Sequence, residues 1–127
     1  QVGSRYVASN EASSHLNFKQ AVINTNEGDT VLTLKQLAPV RLIKNEFYQQ
    51  IQEAEQRGAT KEEMQQLLGR ARAKRGMFEG NMQEGELEIG QVSALLDEIL
   101  PAATITENLW KDFLEACNNP LGNNTLV

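Results

Sequence analysis

Apolar residues recur along this chain with two different spacings, and each spacing predicts a different element. A spacing of three or four positions, typical of a helix with one buried face, occurs in residues 16–23, 43–54, 64–68, 92–99 and 105–116. Two stretches rich in β-branched or aromatic residues, 2–7 and 30–34, predict short strands instead. The pattern therefore predicts a mostly α-helical chain with one or two short strands.

Capping residues predict where several helices begin and end. Thr60 followed by Glu63 is a capping-box pattern, so a helix is expected to begin there. Gly58 is expected to end the preceding helix, because glycine readily adopts the left-handed conformation of a C-terminal cap. Ser13 and Ser14 predict the N-cap of an earlier helix.

Two parts of the chain show no helical period. Five glycines between residues 69 and 90 predict a stretch that is broken, looped or closely packed against another segment. Residues 118–127 have no pattern and are expected to form a flexible tail.

The opening residues, QVGSRY, predict a strand that ends in a Gly-Ser turn. Two isolated strands do not make a stable sheet, so either these strands do not form or their sheet partners lie in sequence outside this chain. The opening residues favour the second alternative. Gly3 has no Cβ and would let the backbone approach a phosphate, to which the Ser4 hydroxyl could donate a hydrogen bond. Because many strands end in Gly-Ser for reasons of turn geometry, this short signal leaves both interpretations open.

Composition narrows the classes of partner. The chain has 127 residues, which suits one domain, and a formal net charge of −5. An acidic chain is a poor general partner for nucleic acid or an anionic membrane, and no apolar run approaches the roughly 20 residues that span a bilayer. The one cysteine, Cys117, allows no intrachain disulfide. We therefore expect a cytoplasmic protein.

Few residues predict catalysis or metal binding. His15 is the only histidine and has no cysteine or histidine at ligand spacing, so a zinc site is not expected. A local hydrogen bond at a helix start explains His15 better than a role as general base. Cys117 lies near a helix C-terminus, where the helix dipole does not favour a thiolate. Neither residue is expected to take part in chemistry.

The chain also contains one basic and one acidic run. The basic run, residues 70–75, lacks the interleaved aromatic residues of a nucleic-acid site and is interpreted as a solvated helix face. The acidic residues Glu84, Glu86 and Glu88 could pair with it or could form a polar loop.

Four segments, QVGSRYVAS, EASSHLNFK, PVRLIKN and RGMFEGNMQEGELEIGQVSALLDEI, occur in an order that carries a family resemblance. Together they resemble the C-terminal part of the nitronate monooxygenase family, formerly called 2-nitropropane dioxygenase, which includes the flavin-dependent enoyl-acyl carrier protein reductases. The likeness runs from Gln1 to about Phe113. Several ordered segments are more specific than one short motif.

The resemblance implies an α/β fold in which this chain is the C-terminal fragment of an FMN-binding (β/α)8 barrel. Residues 1–127 would form a single segment, with the last barrel strand at 1–7, mainly helices over 8–117 and the flexible tail at 118–127. Such a barrel needs about 250 residues. The chain is therefore expected to be inactive without the missing N-terminal portion.

The resemblance also implies the cofactor-binding residues. The family's last barrel strand ends in Gln-x-Gly-Thr at the FMN phosphate, and Gln1, Val2 and Gly3 match this motif, while Ser4 keeps the hydroxyl of the threonine. The family's catalytic histidine lies in a Gly-Gly-His motif that this chain lacks, and His15 does not inherit its role. No catalytic residue and no metal ligand is expected here.

Three functions follow as hypotheses. The first is part of an FMN-dependent oxidoreductase that oxidises alkyl nitronates, its small-molecule substrates, with O2. The second is part of a flavin-dependent enoyl-acyl carrier protein reductase that uses NAD(P)H. The third is a non-catalytic helical interaction module. The missing barrel portion or another chain, a homodimer partner included, is expected to cover the apolar helix faces.

Overall fold

Helices dominate the folded chain. The computed structural model describes residues 2–119. Its α-helices are α1 (Gly3–Val7), α2 (Leu16–Ile23), α3 (Glu46–Gln56), α4 (Lys61–Leu68) and α5 (Ala102–Asn118). The other regular elements of these residues are strands β1 (Thr30–Thr33) and β2 (Val40–Ile43), a π-helix (Lys74–Phe78) and a 3-10 helix (Gln91–Leu95). The prediction of a mostly helical chain with one or two short strands is confirmed, although β2 was not among the stretches predicted as strands.

The two strands form an antiparallel hairpin, with Thr30 opposite Ile43 and Thr33 opposite Val40. The apolar stripes of α3 and α4 pack against this hairpin. The resulting core consists of Leu34, Leu42, Phe47, Ile51, Ala54, Ala59 and Met64. Each large side chain buried in this way stabilises the fold by about 1.5–3 kcal/mol relative to exposure.

Residues 87–89 run antiparallel to β2 along its second edge. The Ile43 amide donates a hydrogen bond to the Leu87 carbonyl (2.9 Å), and the Ile89 amide donates to the Arg41 carbonyl (3.2 Å). The expectation that the sheet partners lie outside this chain is therefore wrong for the hairpin, because a third extended segment comes from within it.

The same segment contributes to a second core. The members of this core are Ala8, Phe18, Val22, Leu87 and Ile89. Residues 87–89 are therefore held on β2 by hydrogen bonds and against α2 by apolar contacts. This double attachment fixes the position in space of the next residue, Gly90.

Two glycines allow the glycine-rich stretch to pack closely on itself. A side chain at Gly76, in the π-helix, would meet Leu87 Cδ2 at 2.7 Å and the Glu86 carbonyl oxygen at 2.9 Å. A side chain at Gly85 would overlap the backbone of Gly76. Close packing is one of the arrangements that the run of glycines predicted.

Arg72 links α4, α3 and the acidic run. Its guanidinium lies 4.7 Å from the centroid of the Phe47 ring, forms a 3.0 Å ion pair with Glu84 and donates to the carbonyls of Leu67 and Leu68. Of the two arrangements left open for the acidic run, pairing with the basic run is observed for Glu84 and Arg72. Because only 15% of the Arg72 side chain is exposed, the interpretation of the basic run as a solvated face is wrong for this residue.

Residues 3–7 are helical, so the strand expected over residues 1–7 is wrong for this stretch. A tertiary contact accounts for the difference: the Tyr6 hydroxyl lies 2.7 Å from Thr106 Oγ1, in α5. Strand propensity is weak and depends on context, so packing against α5 overrides it in so short a segment. Gln1 lies outside the described residues.

Two expected helices have different bounds. The helix expected over 43–54 begins at Glu46, because the Asn45 side chain caps it by accepting the Tyr48 amide at 3.0 Å. The helix expected over 92–99 is reduced to the 3-10 helix, because the residues that follow it pair with the segment after α1.

Other predicted helix ends are confirmed. Gly58, after α3, has a φ of 74°. Thr60 and Glu63 make both capping-box hydrogen bonds, at 2.8 and 3.2 Å, and α5 ends at Asn118. Residues 120–127 of the predicted flexible tail lie outside the described residues.

Most of α5 faces away from both cores. Ile105 is buried, whereas Trp110 and Phe113, whose rings stack with centroids 5.3 Å apart, are 61% and 54% exposed. Within residues 2–119, α5 therefore presents an apolar face that no other element covers.

The Gly76–Gly85 contact predicts a large effect of one methyl group. We expect Gly85→Ala to destabilise the protein by more than about 3 kcal/mol, above the usual cost of overpacking a side chain, because the overlapping atoms are backbone. Gly58→Ala is the matched control: no atom of the described residues lies within 4 Å of the added Cβ, so only the left-handed strain of about 1–2 kcal/mol applies. Urea denaturation measures both values, and equal losses would contradict the contact.

Candidate functional site

The start of α1 and the residues after the third extended segment meet at one hydrogen bond. The Gly90 amide donates to Ser4 Oγ at 3.2 Å. A side chain at Gly90 would come within 2.8 Å of this oxygen, so glycine permits the approach. Because residues 87–89 are held on β2, the sheet determines where this contact forms.

The Ser4 hydroxyl keeps its donor in this arrangement. A serine hydroxyl has one O–H group and two lone pairs, and the contact with Gly90 uses only a lone pair. No side chain among the described residues caps α1, and the leading amides of a helix have no intrahelical acceptor. The start of α1 therefore presents a hydroxyl and backbone donors together.

Gly3 faces open space beside a cleft. A Cβ built on Gly3 would have no atom of the described residues within 4 Å. The adjoining cleft has a volume of about 450 Å³ and is lined by Val2, Gly3, Ser4, Arg5, Val92, Leu96 and Leu109. Three of the four predicted cofactor-binding residues, Val2, Gly3 and Ser4, thus lie together at this cleft.

The carboxyl group of Glu86 is buried next to the third extended segment. Only 8% of this residue is exposed. Burial raises the pKa of the Glu86 carboxyl, and the neighbouring Glu88 carboxylate raises it further, whereas Arg72 acts in the opposite direction. The charged form is therefore less favourable in the folded protein than in the unfolded chain.

Asp29 holds the turn that precedes β1. Its carboxylate accepts hydrogen bonds from the Asn26 amide (2.7 Å) and from Asn26 Nδ2 (3.2 Å). These bonds, the backbone one first, lower the pKa of Asp29; the charge of Lys44 adds to the effect and burial opposes it. The turn carries Glu27 and Gly28 next to the hairpin.

His15 has a structural role. Its Nδ1 accepts a hydrogen bond from the Asn17 amide at 3.1 Å and caps α2, which confirms its interpretation as a helix-start residue. The prediction of the N-cap at Ser13 or Ser14 is wrong, because the observed N-cap, His15, lies one or two positions later. The His15 ring also occupies the space that a side chain at Gly80 would need.

The described residues offer no metal centre. No group of three histidine, cysteine or acidic residues within residues 2–119 could hold a metal ion, and Cys117 is an exposed free thiol. Within the same range, no helix is long and apolar enough to cross a bilayer.

Comparison with known proteins shows which family this chain belongs to. The family model of nitronate monooxygenase matches residues 1–112, and the chain belongs to this family. FabK from Thermotoga maritima is a similar solved structure, with 31% identity, a TM-score of 0.81 and coverage of 91% of this chain. A point mutant of that FabK has 30% identity, a TM-score of 0.75 and the same coverage of this chain. No curated protein gave a match.

The chain spans about a third of the FabK chains that it matches, 36% and 34%. It therefore corresponds to part of a (β/α)8 barrel protein, which confirms the predicted fold class.

Sequence reasoning missed Gly90 and Arg41 as candidate site residues. Gly90 contacts a residue 86 positions away, and its place among five nearby glycines was the only local signal. Arg41 lines a cleft together with Ser4 and Gly90. It belongs to the segment PVRLIKN, which contributed to the resemblance without indicating a role for the arginine.

The raised pKa of Glu86 predicts a pH-dependent stability. The folded state binds this proton more tightly than the unfolded chain, so the stabilisation is complete below the ordinary pKa of 4.5 and is lost as the pH rises through the folded pKa. We expect Glu86→Gln to be more stable than the parent at neutral pH, and this advantage to shrink below pH 4.5.

Urea denaturation at both pH values tests this expectation. Glu107→Gln, at an exposed position on α5, is the control and should change little at either pH. A Glu86→Gln protein that is less stable than the parent at neutral pH would contradict the assignment.

Proposed function

We propose that this chain is the part of an FMN-dependent oxidoreductase that holds the FMN phosphate. The observation that carries the proposal is the meeting of Ser4 with Gly90 beside the open space at Gly3, in a chain that belongs to the nitronate monooxygenase family. Gln1, Val2, Gly3 and Ser4 are the proposed cofactor-binding residues.

The residues present suit a phosphate. A dianion needs several converging donors. The Ser4 O–H group and the amides of Gly3 and Ser4 have no acceptor among the described residues and lie on one side of the cleft, whereas the Arg5 amide donates to the Val2 carbonyl at 3.1 Å. The absence of a Cβ at Gly3 leaves the space into which a phosphate oxygen would fit. When bound, the flavin would supply the redox chemistry, while this chain would bind and orient the phosphate end of the cofactor.

The proposed reaction is the oxidation of alkyl nitronates with O2, after the family that the model describes. A second candidate is the reduction of enoyl thioesters by NAD(P)H, as in the enoyl-acyl carrier protein reductases that the resemblance includes. The 31% identity to FabK is the observation that supports this second candidate.

The exposed apolar face of α5 indicates that another part of the protein or another chain covers it. Trp110 and Phe113 are large apolar side chains that a stable protein normally buries. We propose that the remaining barrel portion, or a second chain, covers this face, and that the 127 residues are inactive by themselves. The proposed location is the cytoplasm, where a lone free thiol such as Cys117 is usual.

Flavin titration of the full-length protein tests the phosphate site. Gly3→Val should weaken FMN binding, because the added side chain would fill the space beside the phosphate. Ser4→Ala should cost about 1.5–3 kcal/mol of FMN binding free energy, the range for a hydrogen bond to a charged group. Ser4→Thr, which keeps the hydroxyl, is the control and should be nearly silent. A Gly3→Val protein that keeps its flavin would show that the site is misplaced.

Steady-state assays of the FMN-loaded full-length protein distinguish the two reactions. A nitronate monooxygenase should consume O2 with propyl nitronate and without NADPH, whereas an enoyl reductase should oxidise NADPH only when an enoyl thioester is present. His15→Ala should change turnover by less than about a hundredfold, since the loss of a general base costs about that much or more. A tightly FMN-binding protein with neither activity would contradict both reactions.

A further inference from the structure

A second cleft lies between the hairpin and the 3-10 helix. It has a volume of about 670 Å³, within the range of about 300–1,000 Å³ typical of ligand sites. Its lining consists of Glu27, Gly28, Thr30, Arg41, Gln91, Val92, Ala94 and Leu95. Arg41 also lines a neighbouring cleft with Ser4 and Gly90, so this arginine stands next to the proposed phosphate site.

The hairpin fixes the guanidinium of Arg41. In the antiparallel register Arg41 lies opposite Leu32, and its Nη1 reaches along the strands to donate to the Thr30 carbonyl (3.3 Å) and Thr30 Oγ1 (3.2 Å). A side chain held in this way loses less freedom when it binds a ligand than a mobile one does.

The charge of Arg41 has no partner within residues 2–119. The ion pairs of these residues are Arg72–Glu84, Lys74–Glu79 and Lys111–Glu115. Both side-chain hydrogen bonds of Arg41 come from Nη1, which leaves Nη2 and Nε as donors. A partly buried guanidinium with unused donors in a cleft is suited to bind a planar or tetrahedral anion through two parallel hydrogen bonds.

We propose that this second cleft binds a phosphate ester of a reactant through Arg41. The inference rests on the proposed FMN-dependent oxidoreductase and deepens its second candidate reaction, since an alkyl nitronate carries no phosphate and is small for a cleft of this size. Among the reactants of the two candidate reactions, NADPH and a phosphopantetheine thioester both carry such esters. Val92 and Leu95, which are 47% and 80% exposed, provide an apolar wall for the rest of that molecule.

Glu27 allows a test in which the expected change in ligand affinity is opposite to that at Arg41. It lines the same cleft and is exposed, so its charge repels an anion weakly through solvent. Removal of the charge at Glu27 should therefore strengthen the binding of a phosphate ester, whereas its removal at Arg41 should weaken it. A purely structural role of the two residues would not produce opposite effects.

Calorimetric titration of the FMN-loaded full-length protein with NADP⁺ and, separately, with coenzyme A tests the proposal. Arg41→Gln should weaken the binding of at least one probe about tenfold or more, the loss typical of a charged hydrogen bond. Arg41→Lys, which keeps the charge but not the paired donors, should weaken it less. Glu27→Gln should strengthen it by up to about threefold, and Arg57→Gln, at an exposed site on the far end of α3, should change it less than about twofold.

The probe whose affinity falls identifies the source of the phosphate. Unchanged affinity for both probes in Arg41→Gln, with FMN still bound, would overturn this inference and leave the proposed function intact. Failure of the parent to bind FMN would instead count against the proposed function. Flavin content and thermal unfolding of each variant exclude loss of the fold as the cause of weaker binding, and Glu27→Gln gives an independent result if Arg41→Gln does not fold.

Discussion

The pairing of residues 87–89 with β2 is the contact on which the rest of the structure depends. Two backbone hydrogen bonds, from Ile43 to Leu87 and from Ile89 to Arg41, turn a marginal hairpin into three extended segments covered by helices, the minimum that is usually stable. The same segment joins the two apolar cores. It also delivers Gly90 to Ser4, so the fold and the candidate site are built by one interaction.

Local signals in the sequence were sufficient for elements whose determinants lie within a few residues. The capping box at Thr60 and the left-handed Gly58 are such cases, because each involves neighbours along the chain. The conformation of residues 3–7 was not predictable in this way, since it depends on α5, a hundred positions later. Arg72 was misread for the same reason, because its aromatic partner, Phe47, lies on another helix.

The residues of the candidate site also divide into those with local signals in the sequence and those positioned by distant contacts. Gly3 and Ser4 were found because they form a short motif and carry a resemblance, and the structure adds the open space at Gly3. Gly90 and Arg41 come from other parts of the chain and are brought to the same surface only by the sheet. Their position links the proposed phosphate site to a neighbouring cleft lined by Arg41, whose charge has no ion-pair partner among residues 2–119. We propose that one small sheet organises contacts with both a cofactor and a reactant.

We propose that this chain recognises the phosphate of FMN and not its ring system. Riboflavin has the same ring system and no phosphate, so the two flavins separate these contributions. The most direct measurement is therefore the affinity of the full-length protein and of its Ser4→Ala variant for FMN and for riboflavin. The account predicts that Ser4→Ala weakens FMN binding and leaves riboflavin binding unchanged. An equal loss for both flavins, or no loss for either, would contradict it.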